Sequence, residues 1–203
     1  MEQICNQITI RGELVSLPVY SHENHGIRFF RFELDVPRLS GISDRLPVIA
    51  QEKVLNGLNL SGGELLTVTG QIRSHNNRID GKRRLLVFIY ATDMIAEDGE
   101  FINDVTLEGH LCREPVFRRT PLGRQICDVM LAVPRPFKRA DYLPCILWGR
   151  TAEQISLLHI ADPIRIYGRL QSRTYTKMTE SGPEERTTYE ISALSAEILE
   201  DII

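Results

Sequence analysis

The chain repeats itself at a spacing of 97 residues. The segment NQITIRGEL, which begins at Asn6, aligns with NDVTLEGHL, which begins at Asn103, and this alignment places Gly12 over Gly109. At the same shift LDVPR falls on LAVPR, and LPVI falls on LPCI. VTGQIRSH matches IYGRLQSR one residue further out of register, as a single insertion between strands would produce. Self-similarity of this kind predicts two copies of one fold.

Each copy is predicted to consist of short β-strands, because apolar and polar residues alternate with a period of two between turn-forming residues. A Pro121-Leu122-Gly123 turn is expected to join the first two strands of the second copy as a hairpin. In that copy we expect strands at 103–111, 124–134, 142–149, 163–173 and 186–198.

One short helix is expected between the third and fourth strands of the second copy. The segment RTAEQISLLHIAD spaces its apolar residues along one helical face. Five strands with this helix are the arrangement of an OB-fold. The sequence therefore predicts an all-β chain of two tandem OB-fold five-stranded barrels, each with at most one short helix. The barrels are expected in residues 1–98 and 103–203, with a small β-sandwich as the structural alternative.

Positive charge is concentrated in one part of the chain. The formal net charge is -3. Residues 113–177 nevertheless carry 12 Lys and Arg against 5 Asp and Glu, and many of the compensating acids lie between 180 and 201. A local excess of cations is what an electrostatic site for phosphates requires.

The predicted fourth strand of the second copy, IRIYGRLQSRTYTK, is basic and aromatic along one face. Single-stranded nucleic acid is bound by cations along the phosphates and by rings on which bases stack, each stack contributing about 1–3 kcal/mol. The alternative is a solvated strand face of long polar side chains. Alternation places on this face Arg165, Tyr167, Arg169, Gln171, Arg173, Tyr175 and Lys177.

A second basic and aromatic segment is VPRPFKRADYLPCILWGR. Its loop holds Phe137, and the strand that follows holds Tyr142 and Trp148, six residues apart and therefore on one face. The alternative for Trp148 is a place in the core, which aromatic rings often fill. The hairpin tip FRRTPLGR adds further arginines, which at turns are commonly only solvated.

Together these segments resemble the bacterial single-stranded DNA-binding proteins. NDVTLEGHLCREP, LAVPR, ADYLPCILWGRTAE and YGRLQSRTYTK occur in the order and spacing of that family, over essentially all of residues 103–198. The resemblance implies sequence-nonspecific binding of single-stranded DNA in replication, recombination or repair, with bases stacked on aromatic side chains. The DNA-binding residues expected are Arg118, Arg119, Arg124, Arg135, Phe137, Lys138, Arg139, Tyr142, Trp148, Arg169, Arg173, Tyr175 and Lys177.

The two-barrel organisation resembles family members that form dimers with four barrels in total. We therefore expect a homodimer in the bacterial cytoplasm, associated with the nucleoid. The family usually ends in a flexible linker and an acidic tip that recruits other proteins, whereas EILEDII follows the last predicted strand directly. Recruitment by an acidic tail is therefore not expected. Neither a signal peptide nor a membrane span is expected from the sequence.

The first copy lacks aromatic residues at the positions that correspond to the rings of the second. Phe137, Tyr142, Trp148 and Tyr175 correspond to Ser40, Arg45, Gln51 and Asn77. Residues 1–98 are therefore hypothesised to be a scaffold barrel that supports dimer contact. A weak contribution to binding of the DNA backbone remains open for Arg73, Arg78, Lys82, Arg83 and Arg84.

Other functions find less support in the sequence. There is no G-x-S-x-G, no phosphate-binding G-x-x-x-x-G-K-[ST] and no H-x-E with C-x-x-C, so neither catalysis nor a cofactor is expected. Asp141 and Glu153 are interpreted as a turn acid and a helix-surface residue. A replication-accessory or protein-interaction barrel, similar to primosomal replication protein N, is the alternative function, and RNA is a weaker alternative ligand.

The cysteines are expected to be free core residues, without a disulfide or zinc, because they are scattered and no C-x-x-C pair occurs. They are Cys5, Cys112, Cys127 and Cys145.

Overall fold

Two copies of one strand arrangement follow each other along the chain. The computed structural model describes residues 6–79, 82–179 and 182–200, without the side chains of 78, 79, 82 and 83. The first copy comprises β1 (Asn6–Leu14), β2 (Val19–Asn24), β3 (Ile27–Pro37), β4 (Ser43–Gln51), α1 (Glu52–Leu55), β5 (Leu65–Ile79) and β6 (Lys82–Ala96). The second comprises β7 (Ile102–Leu111), β8 (Val116–Arg119), β9 (Gln125–Arg135), β10 (Arg139–Trp148), α2 (Gly149–Ile155), β11 (Pro163–Thr179) and β12 (Gly182–Ile198). The predicted fold class, all-β with two tandem OB-folds and at most one short helix in each, is confirmed; each copy has one.

The strands differ in extent from those expected from the sequence. The short strands β2 and β8 are additional, and the Pro121-Leu122-Gly123 turn joins β8 to β9, with the Thr120 amide donating to the Arg124 carbonyl at 2.8 Å. β11 continues to Thr179 and β12 begins at Gly182, so that they form a long ribbon. Beyond Ser172 nearly all side chains of this ribbon are polar, so alternation of apolar residues gave no signal there.

The strands of both copies form one continuous sheet. Their order is β2-β3-β4-β6-β5-β1-β7-β11-β12-β10-β9-β8, and it is symmetric about the antiparallel pair β1–β7. Within the copies, β1–β3 and β7–β9 close the barrels, while β4–β6 and β10–β12 are parallel pairs. The symmetry of the sheet therefore follows the repeat in the sequence.

Inward-facing apolar side chains of both copies form the core. On β10 these are Leu143, Cys145 and Leu147, which alternate with outward-facing residues. Cys127 and Cys145 are free and buried, as expected, and burial raises the pKa of the Cys127 thiol to about 11. Cys112 is free and half-buried, and Cys5 lies outside the described residues.

Close strand contacts explain two of the glycines that the repeat aligns. A Cβ at Gly168 would lie 2.4 Å from the Ser192 carbonyl oxygen, and one at Gly70 would lie 2.1 Å from the Tyr90 carbonyl oxygen. Each of these glycines lies at an irregularity in its strand pairing. Glycine is thus required where the backbones of the two long strands of each copy approach too closely for a side chain.

A buried carboxylate of each barrel binds the backbone of the other barrel. Asp44, which is 1% exposed, accepts hydrogen bonds from the Ser172 amide at 2.6 Å and the Ser172 hydroxyl at 2.8 Å. Arg38 donates to both oxygens of Asp44, at 2.7 and 2.5 Å, and to the Ser172 carbonyl at 2.6 Å. This cluster connects the β3–β4 hairpin of the first barrel to β11 of the second.

The reciprocal contact is made by Asp141 at the position that corresponds to Asp44. Asp141 is 0% exposed and accepts from the Ser74 amide at 2.8 Å, while Arg73 and Arg135 donate to it at 3.1 and 3.4 Å. The interpretation of Asp141 as a turn acid is therefore wrong. It lies within β10, and two of the partners that allow its burial, Arg73 and Ser74, come from a strand more than 60 residues away in sequence.

The pKa of Asp44 is set by two opposing effects. Burial alone would raise it, but hydrogen bonds from Arg38 and Ser172 outweigh burial and lower the pKa below its ordinary value. A lowered folded-state pKa stabilises the protein above the ordinary carboxyl pKa of about 4. That contribution is lost as the pH falls through the lowered value.

We predict that Asp44→Asn lowers the free energy of unfolding by about 3–5 kcal/mol at pH 7, because it leaves the largely buried Arg38 guanidinium without its counter-charge. Urea denaturation followed by circular dichroism measures the change. The matched control is Asp35→Asn, which removes the same charge from a partly exposed pair with Arg45 and is expected to have little effect. Equal losses in the two variants would contradict a special role for Asp44.

Candidate nucleic-acid interface

Trp148 lies on the outer surface of the second barrel. Its side chain, at the end of β10, is 36% exposed, and the indole Nε1 donates to the Ser192 hydroxyl of β12 at 3.1 Å. Leu143, Cys145 and Leu147 fill the inward face of the same strand. The alternative that Trp148 is a core residue is therefore wrong.

The link between β9 and β10 presents an aromatic ring to solvent. Phe137 is 93% exposed, and Phe137 and Lys138 have φ values of 62° and 54°. The left-handed region costs an ordinary residue roughly 1–2 kcal/mol, and residues held there cluster at functional sites. Neither the exposure nor the backbone conformation of Phe137 contributes to packing, so both favour a binding role for this loop.

The outward face of β11 has the composition that alternation predicted, and it becomes exposed towards its end. Tyr175 is 41% exposed, and the Arg173 guanidinium lies 5.8 Å from the centroid of its ring. Arg173 also pairs with Glu190 of β12 at 3.2 Å, and Gln171 donates to the same carboxylate. In the sequence Glu190 is one of the acids that offset the positive charge of residues 113–177. The strand register places it opposite Gln171.

Several of the Lys and Arg residues of 113–177 are neutralised by neighbouring carboxylates. Arg118 pairs with Asp128 at 2.5 Å, and this hydrogen bond raises the pKa of Arg118. Arg165 pairs with Glu108 and Glu197. The surface of the second barrel is thus less basic than the net charge of residues 113–177 indicates.

Other predicted cations form no ion pair with any residue that the structure describes. Among them is Arg169, whose buried Nε has no hydrogen-bond partner among the described residues. Arg169 pairs across the strands with Ser192, the residue that accepts the hydrogen bond of Trp148. Arg119 and Arg124 lie at the exposed β8–β9 hairpin. The unpaired set is Arg119, Arg124, Lys138, Arg139, Arg169 and Lys177.

Strand register relates the predicted residues to one another. Ser192 pairs with Ile146 on one side and with Arg169 on the other, so Trp148 and Arg169 flank the same residue of β12. Tyr142, which is 44% exposed, lies six residues before Trp148 on the same strand face, roughly 20 Å away. Its amide donates to the Ser74 hydroxyl, which places it next to the first barrel.

The described part of the first copy has no ring at the corresponding positions, but rings lie close to one of them. Gln51, the equivalent of Trp148, donates to the Tyr90 hydroxyl at 2.6 Å. Arg45 pairs with Asp35 and Ser40 is exposed. The side chains of Arg78, Lys82 and Arg83 lie outside the described residues.

The described residues do not form a metal site or a membrane-spanning helix. Within 6–79, 82–179 and 182–200, no group of three His, Cys, Asp or Glu side chains could hold a metal ion. Over the same residues, no helix has the length and apolar character needed to cross a membrane. Glu153 is exposed on α2, as expected from the sequence.

Comparison with known proteins identifies relatives of this chain in sequence and in fold. The model of the single-strand binding protein family matches residues 102–199. Single-stranded DNA-binding protein B of Bacillus subtilis is 39% identical over 80 residues, which are 36% of this chain and 71% of that protein. The single-stranded DNA-binding protein of Oceanobacillus iheyensis is 32% identical over 108 residues, which are 49% of this chain and 64% of that protein. The chain thus spans just under two thirds of the length of that relative.

A solved structure matches almost the whole chain. It is a deletion mutant of the single-stranded DNA binding protein from Thermus aquaticus, with 25% identity and a TM-score of 0.76, and the match covers 98% of this chain and 96% of that one. The wild-type protein from the same organism, at 24% identity and a TM-score of 0.78, shares the fold. On the sequence identity to the Bacillus subtilis protein and the family match to the second barrel, the chain belongs to the single-strand binding protein family.

Proposed function

We propose that this protein binds single-stranded DNA without sequence specificity, and protects it during replication, recombination or repair. The observation that carries the proposal is the exposed ring of Phe137 on a left-handed loop, together with a sheet face of the same barrel that exposes Trp148 and Tyr175. Lys138 and Arg139, which follow Phe137 in the sequence, form no ion pair with any described residue, and a ring beside unpaired cations suits single-stranded DNA. The proposed activity is binding alone, without catalysis.

Stacking and charge have separate tasks in this proposal. Bases stack on Phe137, Tyr142, Trp148 and Tyr175, and such stacking tolerates any base because every base has a π-face. Phosphates are contacted by the unpaired cations of the β8–β9 and β9–β10 links and of β11. Since binding neutralises phosphates and releases counterions, affinity falls as salt is added.

The paired arginines keep a role in the proposal. Arg118 and Asp128 are both substantially exposed, and ion pairs of this kind contribute little to stability. A phosphate can therefore replace Asp128 at small cost. Arg173 contacts both the nearly buried Glu190 and the Tyr175 ring, so its charge stays beside that ring.

The assignment of the two copies to different tasks also belongs to the proposal. Residues 103–203 form the DNA-binding unit, while residues 1–98 support it through the β1–β7 pair and the Asp44 and Asp141 contacts. Two chains associate into a homodimer of four barrels, acting on DNA at the nucleoid in the bacterial cytoplasm. Because β1 already pairs with β7 within one chain, the dimer contact uses another surface.

We predict that oligo-dT quenches the fluorescence of Trp148, which is the only tryptophan. With about five phosphate contacts, log affinity should fall with log salt concentration with a slope of about −3.5. A fluorescence titration at several salt concentrations measures both effects. No quenching, together with no salt-dependent binding, would sink the proposal and favour an accessory protein.

Replacing Phe137 should affect binding and not stability. Because its side chain is 93% exposed, Phe137→Ala should leave the melting temperature unchanged. The loss of one stacked base should weaken oligo-dT binding by about 5- to 150-fold, equivalent to about 1–3 kcal/mol. Leu122→Ala, at an 85% exposed position in the β8–β9 turn, is the control and should bind like the unmodified protein. Identical affinities for the two variants would remove Phe137 from the site.

A further inference from the structure

The first barrel carries a groove lined by rings that the repeat alignment did not identify. The alignment compares equivalent positions, and these hold no ring in the first copy. On β6, however, Leu86, Phe88 and Tyr90 alternate with the buried Val87 and Ile89 and point outward. The rings thus come from β6 and not from the equivalents of β10.

Both barrels have a hydrogen bond between equivalent positions of two neighbouring strands, but the aromatic residue of the pair lies on a different strand in each barrel. Trp148 of β10 donates to Ser192 of β12, and Ser192 pairs with Ile146. In the first barrel Gln51 of β4 donates to the Tyr90 hydroxyl of β6, and Tyr90 pairs with Ile49. The aromatic member has changed strands, and a ring still occupies this part of the sheet face.

Further aromatic side chains and a cation surround Tyr90. Phe29 lies 6.4 Å from it between ring centroids, and His22 stacks on Phe29 at 4.7 Å with the two planes 5° apart. The Arg73 guanidinium lies 5.7 Å from the Tyr90 centroid. Arg73 pairs with Phe88 across the β5–β6 ladder, so cation and rings share one face.

The second barrel completes the groove. Arg135 and Arg139, at the base of the β9–β10 link, line it together with Ser74 and His75 of β5. The groove has a volume of about 720 Å³, and none of the described residues that line it is Asp or Glu. Arg73 and Arg135 pair with the buried Asp141, whereas Arg139 forms no ion pair with any described residue. Three arginines against one carboxylate leave the groove positively charged, and with the apolar rings it suits a ligand that has flat bases and anionic phosphates.

We propose that this groove is a second stacking site for the same DNA strand, with bases on Phe88 and Tyr90 and phosphates on Arg135 and Arg139. The inference rests on the proposed function. Phe137 is only two residues from Arg139, so a strand that stacks on the β9–β10 loop of the second barrel continues directly into the groove. In this proposal the first barrel binds DNA in addition to supporting the second barrel.

Oligonucleotides of two lengths separate the groove from the second-barrel face. An oligo-dT of about 10 nucleotides lies within the ~4–16 nucleotides that one OB-fold covers, whereas one of about 35 can span both barrels. Tyr90→Ala and Phe88→Ala should each weaken binding of the long oligo-dT at least fivefold and leave binding of the short one unchanged. Quenching of Trp148 by the short oligo-dT should persist in both variants.

Two matched variants control for loss of the hydroxyl and for loss of an exposed ring. Tyr90→Phe keeps the ring and should bind both lengths like the unmodified protein. Tyr20→Ala removes a 54% exposed tyrosine of the same barrel that contacts Phe30 and does not line the groove, and it should also bind normally. If Tyr90→Ala and Phe88→Ala bind the long oligo-dT with unchanged affinity while Trp148 is still quenched, the groove proposal is wrong and the proposed function stands.

Two further outcomes are decisive. If neither length quenches Trp148 or binds the unmodified protein, the proposed function fails and the groove proposal fails with it. If the alanine variants do not fold, methyl NMR of the unmodified protein decides, because Ile49 and Leu86 line the groove. Their methyl shifts should change with the long oligo-dT and not with the short one, and no change with the long one would reject the groove.

Discussion

The arrangement of this molecule depends on two buried carboxylates, each of which belongs to one barrel and binds the backbone of the other. Asp44 holds the Ser172 amide and Asp141 holds the Ser74 amide, and an arginine of the same barrel neutralises each of them. A buried charge of this kind tolerates little displacement, since losing a partner is costly. Together with the β1–β7 ladder, the two contacts fix the orientation of one barrel relative to the other.

This orientation has a consequence for the surface. Arg135 and Arg73, both partners of Asp141, also line the groove between the barrels. The carboxylate of Asp141, which holds the two barrels together, therefore also positions the arginines beside Tyr90. In the proposed path, DNA leaves the ring of Phe137 and meets arginines that the junction has already positioned, so that less side-chain entropy is lost on binding.

Much of the fold could be predicted from the sequence, because its signals are local. The repeat, the period-two alternation and the outward position of the β11 cations all follow from spacing along the chain. Asp141, Glu190 and Tyr90 could not be assigned in this way. Burial of Asp141 depends on Arg73 and Ser74, and the place of Tyr90 depends on its strand register with Ile49. Such partners are distant in sequence, and an alignment of equivalent positions misses a ring that has moved to a neighbouring strand.

In the proposed function, the exposed rings of the second barrel contact DNA bases. Photochemical cross-linking of the unmodified protein to oligo-dT containing 5-iodouracil, followed by peptide mapping, tests this contact. We expect adducts on Phe137, Trp148 and Tyr175 that unlabelled oligo-dT competes away. Competable adducts found only outside β9–β12 and their connecting loops would contradict it.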